Sequence, residues 1–148
     1  MKHEKFALII GIMLVLSSGC KPEADRSGNS LAHISDTKVM QYALEGKLLY
    51  GQHCANCHKD DGKGLGKLIP PLNPSDYMVE DIGRTVRLIK NGMEGEIMVN
   101  GNSYNQAMPA NPKLTNIEIA QISTYLYNIW GNEKGLISIP QVEVFLKK

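Results

Sequence analysis

Two cysteines and one histidine lie close together in the 148-residue chain, in the run Cys54-Ala55-Asn56-Cys57-His58. Two thiols at this spacing can add to the two vinyl groups of a haem and form thioether bonds, and the adjacent imidazole then reaches the iron as the proximal ligand. This five-residue pattern is typical of covalent c-type haem attachment. We therefore predict one haem c, bound covalently through Cys54 and Cys57, with His58 as the proximal iron ligand.

Three other interpretations of the same residues are open. A disulfide between Cys54 and Cys57 would suit an exported protein. A thioredoxin-like redox pair requires a preceding strand and a parallel sheet, and neither is visible in this sequence. A zinc site requires four ligands, whereas the chain has no second cysteine pair and His53 is the only additional candidate nearby. We favour haem attachment over these three.

The N-terminus has the pattern of an export signal. Lys2 and Lys5 introduce an uncharged run over residues 6–16, which is too short to span a bilayer but has the length of a signal-peptide apolar region. Small residues then precede Cys20, as in a bacterial lipoprotein signal, although Ser17 stands where that pattern prefers Leu. We predict cleavage before Cys20 and lipidation of its thiol. An ordinary secretory signal cut nearby and an uncleaved anchor helix are the alternatives.

The charge balance argues against nucleic-acid binding. The chain has 16 Lys and Arg against 15 Asp and Glu, a net charge of +1, whereas a nucleic-acid-binding domain carries a basic excess on one face. Aromatic residues make up 6% of the chain, with one Trp, so a large apolar cofactor would help to fill a thin core. No nucleophile–base pair and no acid pair is recognisable. We therefore expect neither an enzyme nor a small-molecule substrate.

A polar segment and a helix are predicted ahead of the haem motif. Residues 21–36 are polar and predict a flexible tether. Apolar residues recur at three- and four-residue steps from Val39 to Tyr50, which predicts a helix that starts near Thr37 with Asp36 as its N-cap. Gly46 lies on this apolar stripe, although Gly costs about 1 kcal/mol relative to Ala inside a helix. Another element is therefore expected to cross closely there.

Two further helices are predicted after the motif. The second covers residues 79–91, with Gly92 as its stop. The third is the clearest, because Thr115 and Glu118 form a capping box and the apolar stripe that follows runs to a C-terminal stop at Gly131. The segments between the helices are rich in glycine and proline and are predicted to be irregular.

These features together resemble the class I cytochrome c family. In that family a Met followed by Pro, shortly before the C-terminal helix, usually supplies the second axial ligand of the iron. Of the four methionines downstream of the motif, only Met108 is followed by proline, Pro109. The resemblance therefore implies Met108 as the distal ligand. Met78, Met93 and Met98 are better suited to filling the core.

Two more features match the same family. The resemblance implies that His58 donates its second ring N–H to the carbonyl of Pro70, twelve residues on, with Pro71 as the neighbour that could be confused with it. It also implies that Leu72 packs against the haem. The family packs its first and last helices crosswise, where a glycine and an aromatic residue on the first meet an aromatic residue on the last. The matching residues here are Gly46 and Tyr50, and Tyr125 or Trp130.

The implied fold is all-α, a small cytochrome c fold of about three to five helices around one haem. The predicted organisation is a lipoprotein signal peptide, a lipidated Cys with a flexible tether, a cytochrome c domain and a C-terminal extension in which Pro140 could start a short helix. These segments cover residues 1–19, 20–36, 37–132 and 133–148.

An iron held between His58 and Met108 would have no open coordination position. Such a centre suits outer-sphere electron transfer, and the neutral thioether raises the reduction potential relative to a second His. The sequence therefore predicts a single-haem electron carrier of the bacterial envelope, in the periplasm or on the cell surface. It would be tethered to a membrane by its lipid and would exchange electrons with redox protein partners. The alternatives are a haem domain with a labile sixth ligand, for gas sensing or peroxidase-like activity, and a non-haem exported binding module with a Cys54–Cys57 disulfide.

Overall fold

The structure, a computed structural model, describes residues 30–148. The predicted signal peptide, Cys20 and the first part of the tether lie outside the described residues. The all-α prediction is confirmed, because the described part holds six helices, two of them single turns, and two strands of three residues each. The helices are α1 (Thr37–His53), α2 (Ala55–His58), α3 (Asp76–Glu80), α4 (Ile82–Asn91), α5 (Asn116–Leu126) and α6 (Ile139–Leu146), and the strands are β1 (Ile97–Val99) and β2 (Asn102–Tyr104).

The segment just before α1 is packed against the domain. Leu31 is 8% exposed and belongs to the hydrophobic core, and Ile34 packs against that core. The folded part therefore begins earlier than residue 36, the predicted end of the tether, because these two apolar side chains are covered by core residues. Within residues 30–148, no helix is both long enough and apolar enough to cross a bilayer.

Helix α1 begins where the sequence predicts. The Asp36 carboxylate accepts a hydrogen bond of 2.9 Å from the backbone N–H of Val39, which satisfies one of the free donors of the first turn. The predicted apolar stripe faces the core. Its buried residues are Val39, Ala43, Gly46 and Tyr50.

Helix α1 meets helix α5 at Gly46. A Cβ atom built on Gly46 would lie 2.0 Å from the carbonyl oxygen of Gln121 and 2.8 Å from Cβ of Tyr125. The missing side chain therefore lets the two backbones touch. One turn later, the ring of Tyr50 packs against Tyr125 and Trp130, with centroid separations of 5.4 and 6.0 Å. The predicted contact between these helices is confirmed, and both aromatic candidates take part in it.

The second helix is not continuous over residues 79–91 as predicted. Asp81 has an extended backbone, with φ −141°, and separates α3 from α4. Its carboxylate accepts a 2.9 Å hydrogen bond from the N–H of Arg84 and so caps α4. This bond is the main reason why the pKa of Asp81 is lowered. An Asp side chain that bonds the backbone in this way favours a helix start over a helix interior, which is the physical reason for the break.

The segment predicted to be irregular over residues 92–112 contains a β-hairpin. Strands β1 and β2 pair antiparallel with Val99 opposite Asn102, so the turn consists of Asn100 and Gly101. Both turn residues have positive φ, 50° and 74°, as a type I′ turn requires. The Asn-Gly dipeptide is typical of a hairpin turn, but strands of three residues are too short for an alternating apolar and polar pattern to predict them.

Helix α5 begins at the predicted capping box of Thr115 and Glu118. It ends at Leu126, earlier than the predicted stop at Gly131. The residues that follow form turns, and Trp130 has φ 57°, which a helix does not accommodate. The ring of Trp130 packs against Tyr50, at the end of α1, from this turn segment.

The C-terminal extension packs onto the domain. Helix α6 carries Pro140 in its first turn, where the missing N–H of proline costs nothing. Val142 is fully buried, and the N–H of Ile137 donates to Oγ1 of Thr124 at 3.1 Å. Helix α6 therefore covers α4 and α5.

The crossing at Gly46 can be tested with a matched pair of substitutions. Gly46→Ala is expected to destabilise the protein by at least about 1–3 kcal/mol, the usual cost of overpacking, because the new Cβ overlaps the backbone of α5. Gly51→Ala lies in the same helix with nothing within 4 Å, and we expect it to be neutral or stabilising by up to about 1 kcal/mol. Denaturant unfolding of the two haem-loaded variants measures the difference. Equal stabilities would contradict the crossing.

Candidate functional site

The Cys54-to-His58 motif sits at the junction of two helices. The N–H of Cys54 bonds the carbonyl of Tyr50 at 2.9 Å and ends α1, and the single turn α2 carries Cys57 and His58. Both thiols are free, Cys54 partly buried and Cys57 exposed. Burial, with a smaller contribution from Cys57, raises the pKa of the Cys54 thiol to about 12, so this thiol is protonated at neutral pH. All three motif side chains are thus held on one short segment at the end of α1.

The His58 ring is buried and oriented by a backbone carbonyl. Its Nδ1 lies 3.2 Å from the carbonyl oxygen of Pro70. A carbonyl only accepts, so Nδ1 carries the proton and Nε2 keeps a free lone pair. Burial lowers the pKa of His58, and the bond to Pro70 opposes this effect only in part. His58 is therefore in the neutral form that binds a metal ion, and its bond goes to Pro70 rather than to Pro71.

The glycine-rich loop after the motif brings the Pro70 carbonyl to this ring. Gly64 has φ 69°, and a Cβ atom there would lie 2.3 Å from the carbonyl oxygen of Ile69 and 2.7 Å from that of Pro70. The N–H of Gly64 donates to the carbonyl of His58 at 3.0 Å. The loop can fold back onto the motif in this way because Gly64 has no side chain.

Tyr50 connects the helix crossing to the motif. Its hydroxyl donates a 2.6 Å hydrogen bond to the carbonyl of Lys59, the residue after His58, where the chain turns with φ 65°. Burial raises the pKa of Tyr50, so its hydroxyl stays protonated and remains a donor. The ring that packs against α5 therefore also holds the end of the motif.

His58 lines an apolar cleft that opens to solvent. Leu72 is part of the lining, and so is Cys54, whereas Cys57 is exposed outside it. The cleft fits a haem c, because an apolar slot, a free imidazole nitrogen, two unbonded thiols and thioether side chains occur together. The lining consists of Tyr50, Cys54, His58, Pro70, Pro71, Leu72, Ser75, Tyr77, Met78, Thr85, Leu88, Ile89, Met93, Ile97, Val99, Met108 and Leu126.

The four downstream methionines have different surroundings. Met78 is 3% exposed and belongs to the hydrophobic core, as predicted for a core-filling residue. Met98 is 55% exposed and lies outside the cleft, so the prediction that it fills the core is wrong. Met108 is half-buried and lines the cleft. Met93 is half-buried and lines the same cleft, so it is not simply a core residue.

Met108 is positioned by main-chain contacts with the end of α4. Its N–H and carbonyl exchange two hydrogen bonds of 2.9 Å with those of Met93. Gly92, which caps α4 with φ 70°, makes this possible, because a Cβ atom there would lie 2.4 Å from the carbonyl oxygen of Met108. The segment reaches the cleft because residue 92 has no side chain.

A second set of hydrogen bonds fixes the chain after Met108. Nζ of Lys90 donates to the carbonyls of Pro112 and Leu114 at 2.9 and 2.7 Å. The side-chain amide of Asn111 donates to the carbonyl of Ile89 at 3.1 Å. The Met108 segment is therefore held against α4 on both sides of its proline.

A buried hydrogen-bond network behind the cleft has no signal in the sequence. The hydroxyl of Tyr127 donates to the carbonyl of Met78 at 2.5 Å and lies 2.9 Å from Oγ1 of Thr85. Tyr127 is fully buried, and this burial raises its pKa. Both partners line the cleft, but they are 49 and 42 residues away in sequence, so no local pattern indicates the contact.

The alternative interpretations of the motif find no support in residues 30–148. No three His, Cys, Asp or Glu side chains of this part cluster as metal ligands, and His53 is exposed. The sheet described here is a two-stranded antiparallel hairpin, not the parallel sheet of a thioredoxin-like protein. The two motif cysteines form no disulfide in this structure. The arrangement is suited to holding a haem, which supplies one-electron chemistry when it is bound.

Comparison with known proteins leads to the same family. Residues 43–130 match the family model described as cytochrome c. Two proteins named cytochrome c-552, both from Thermus thermophilus, are each 31% identical to this chain over 94 residues. That stretch is 61% of this chain, 71% of the first relative and 63% of the second, so the chain spans less than two thirds of the latter. The chain thus belongs to the class I, single-haem cytochrome c family, whose members carry covalently bound haem c and transfer electrons.

Proposed function

We propose that this chain is a single-haem electron carrier whose iron is bound by His58 and Met108. Cys54 and Cys57 form the two thioether bonds, Pro70 orients the proximal imidazole, and Leu72 packs against the haem. The observation that carries this proposal is the buried, neutral His58, which is fixed through Nδ1 and leaves Nε2 free in a cleft that Met108 also lines.

The same observations favour electron transfer over catalysis. Two protein ligands leave the iron no position for a substrate, and a neutral thioether favours the ferrous state. His58 and Met108 are each held by backbone hydrogen bonds, so the ligand positions change little between oxidation states. The redox partners would be proteins that approach the open side of the cleft.

We further propose that the carrier is exported and anchored by lipid at Cys20. The support is the sequence of residues 1–19, which has the charge and apolar length of a signal peptide. About ten residues separate Cys20 from Leu31, where packing against the domain begins. Ten residues span at most about 35 Å even when fully extended, so a lipid at Cys20 would keep the domain close to the membrane.

Covalent haem attachment is tested by expressing the full chain with a haem-attachment system. We expect a haem band that survives denaturing electrophoresis and one haem per chain in the pyridine haemochrome assay. The Cys54→Ala/Cys57→Ala double variant should lose the covalent band, while the distant Cys20→Ala variant keeps it. A colourless wild-type protein would refute the proposal and favour the non-haem alternative.

The role of Gly92 in placing Met108 is tested with a second matched pair. Gly92→Ala is expected to shift or weaken the near-infrared methionine-to-iron band of the oxidised protein, because its Cβ displaces the Met108 carbonyl. Gly95→Ala also places an Ala at a positive φ, 94°, but has nothing within 4 Å, so its band should be unchanged. If both variants keep the wild-type band, Met108 is not positioned through Gly92.

Lipidation is tested by labelling cells with a radioactive or clickable fatty acid. The wild-type protein should carry the label and sediment with the membranes. Cys20→Ala should lose the label and keep its haem, because Cys20 is not among the described residues that line the cleft. Unlabelled wild-type protein, or label retained by Cys20→Ala, would contradict lipidation at Cys20.

A further inference from the structure

We propose that Met93 is a second thioether ligand held in reserve beside Met108, and that it binds the iron when Met108 is lost. This inference rests on the proposed function, in which Met108 is the resident distal ligand. Met93 is followed by Glu94, so it lacks the Met-Pro pattern on which the assignment of Met108 rests.

The first support is the backbone pairing of the two methionines. Met93 and Met108 form an antiparallel bridge with both hydrogen bonds at 2.9 Å. Directly opposed residues of such a pair have Cα atoms about 5.5 Å apart, and their side chains project from the same face. Both side chains do line the one cleft. The two methionines therefore occupy adjacent backbone positions beside the same cleft.

The second support is that the other methionines are unsuited to this role. Met78 also lines the cleft, but it is 3% exposed and packed in the hydrophobic core, so its movement would leave a cavity. Met98 is exposed and does not line the cleft. Met93 is half-buried and follows the glycine cap of α4, and its three side-chain torsions allow it to adjust its reach.

The exchange itself is chemically simple. The bond between iron and the Met108 sulfur breaks, and one between iron and the Met93 sulfur forms. Both ligands are neutral thioethers, so no proton is taken up or released and the charge of the centre is unchanged. The iron would remain six-coordinate and would continue to carry electrons rather than bind small molecules.

A nitrogen ligand is less well placed to replace Met108. Apart from His58, the histidines in residues 30–148 are His33 and His53, and both are exposed outside the cleft. Lys90 is near the Met108 segment, but its Nζ donates to two backbone carbonyls and the residue is not part of the lining. A lysine must also lose a proton before it binds iron, so its ligation would depend on pH.

The test uses the full-length, haem-loaded protein and four variants: Met108→Ala, Met93→Leu, the Met93→Leu/Met108→Ala double variant, and Met98→Leu as a control on an exposed methionine.

We expect Met108→Ala to retain a near-infrared methionine-to-iron band, shifted from the wild-type position and independent of pH near neutrality. The double variant should lose the band and bind carbon monoxide when reduced. Met93→Leu and Met98→Leu should keep the wild-type band. If Met108→Ala does not hold haem, Met108→Leu is compared in the same way, alone and with Met93→Leu.

The outcomes separate this inference from the proposed function. A Met108→Ala variant that loses the band and binds carbon monoxide would overturn the reserve role of Met93, while Met108 would stand as the resident ligand. A Met108→Ala variant that lacks the band but becomes six-coordinate as the pH rises would indicate lysine and would also overturn it. Loss of the wild-type band in Met93→Leu alone would instead make Met93 the resident ligand and refute the assignment of Met108.

Discussion

The contact between the backbones of α1 and α5 at Gly46 positions the rest of the site. The two helices can touch because residue 46 has no Cβ, and the touching point determines where α1 ends relative to α5. The end of α1 carries Cys54, and the next turn carries His58. Tyr50 then connects the two, because its ring packs against α5 and its hydroxyl binds the carbonyl that follows His58. A change at the crossing would therefore be transmitted to the haem motif.

Backbone groups, rather than charged side chains, hold the residues proposed to bind the iron. The carbonyl of Pro70 orients His58, and the paired peptide groups of Met93 hold Met108. Each arrangement requires a glycine, at positions 64 and 92, because a side chain would separate the paired segments. Peptide groups do not titrate, so these contacts persist over a wide pH range. Rigid ligands also lower the reorganisation that accompanies a change of oxidation state, which is the requirement of an electron carrier.

Part of the cleft lining is supported by residues that lie outside the family match, which ends at residue 130. Helix α6 packs over α4 and α5, and these helices carry Thr85 and Leu126 in the cleft lining. Tyr127 links two residues of this lining, because its hydroxyl forms hydrogen bonds with both Thr85 and the carbonyl of Met78. The extension therefore supports the helices that contribute Thr85 and Leu126 to the cleft lining, and its removal would expose apolar surface of both helices.

The sequence alone determined the features that are encoded within a few residues. These are the haem motif, the caps at Asp36 and Thr115, and the costly glycine that indicated a close crossing. The hydrogen bond from His58 to the carbonyl of Pro70 was also predicted, but from the family resemblance rather than from the residues alone. Only the tertiary structure decided the contacts between distant segments. The pairing of Met93 with Met108 depends on where α4 ends and where a later loop returns, and the bond from Tyr127 to Thr85 spans 42 residues. Helix boundaries also depend on more than periodicity, because the Asp81 carboxylate caps α4 inside a regular apolar pattern and α5 ends at Leu126 although apolar residues continue to Trp130.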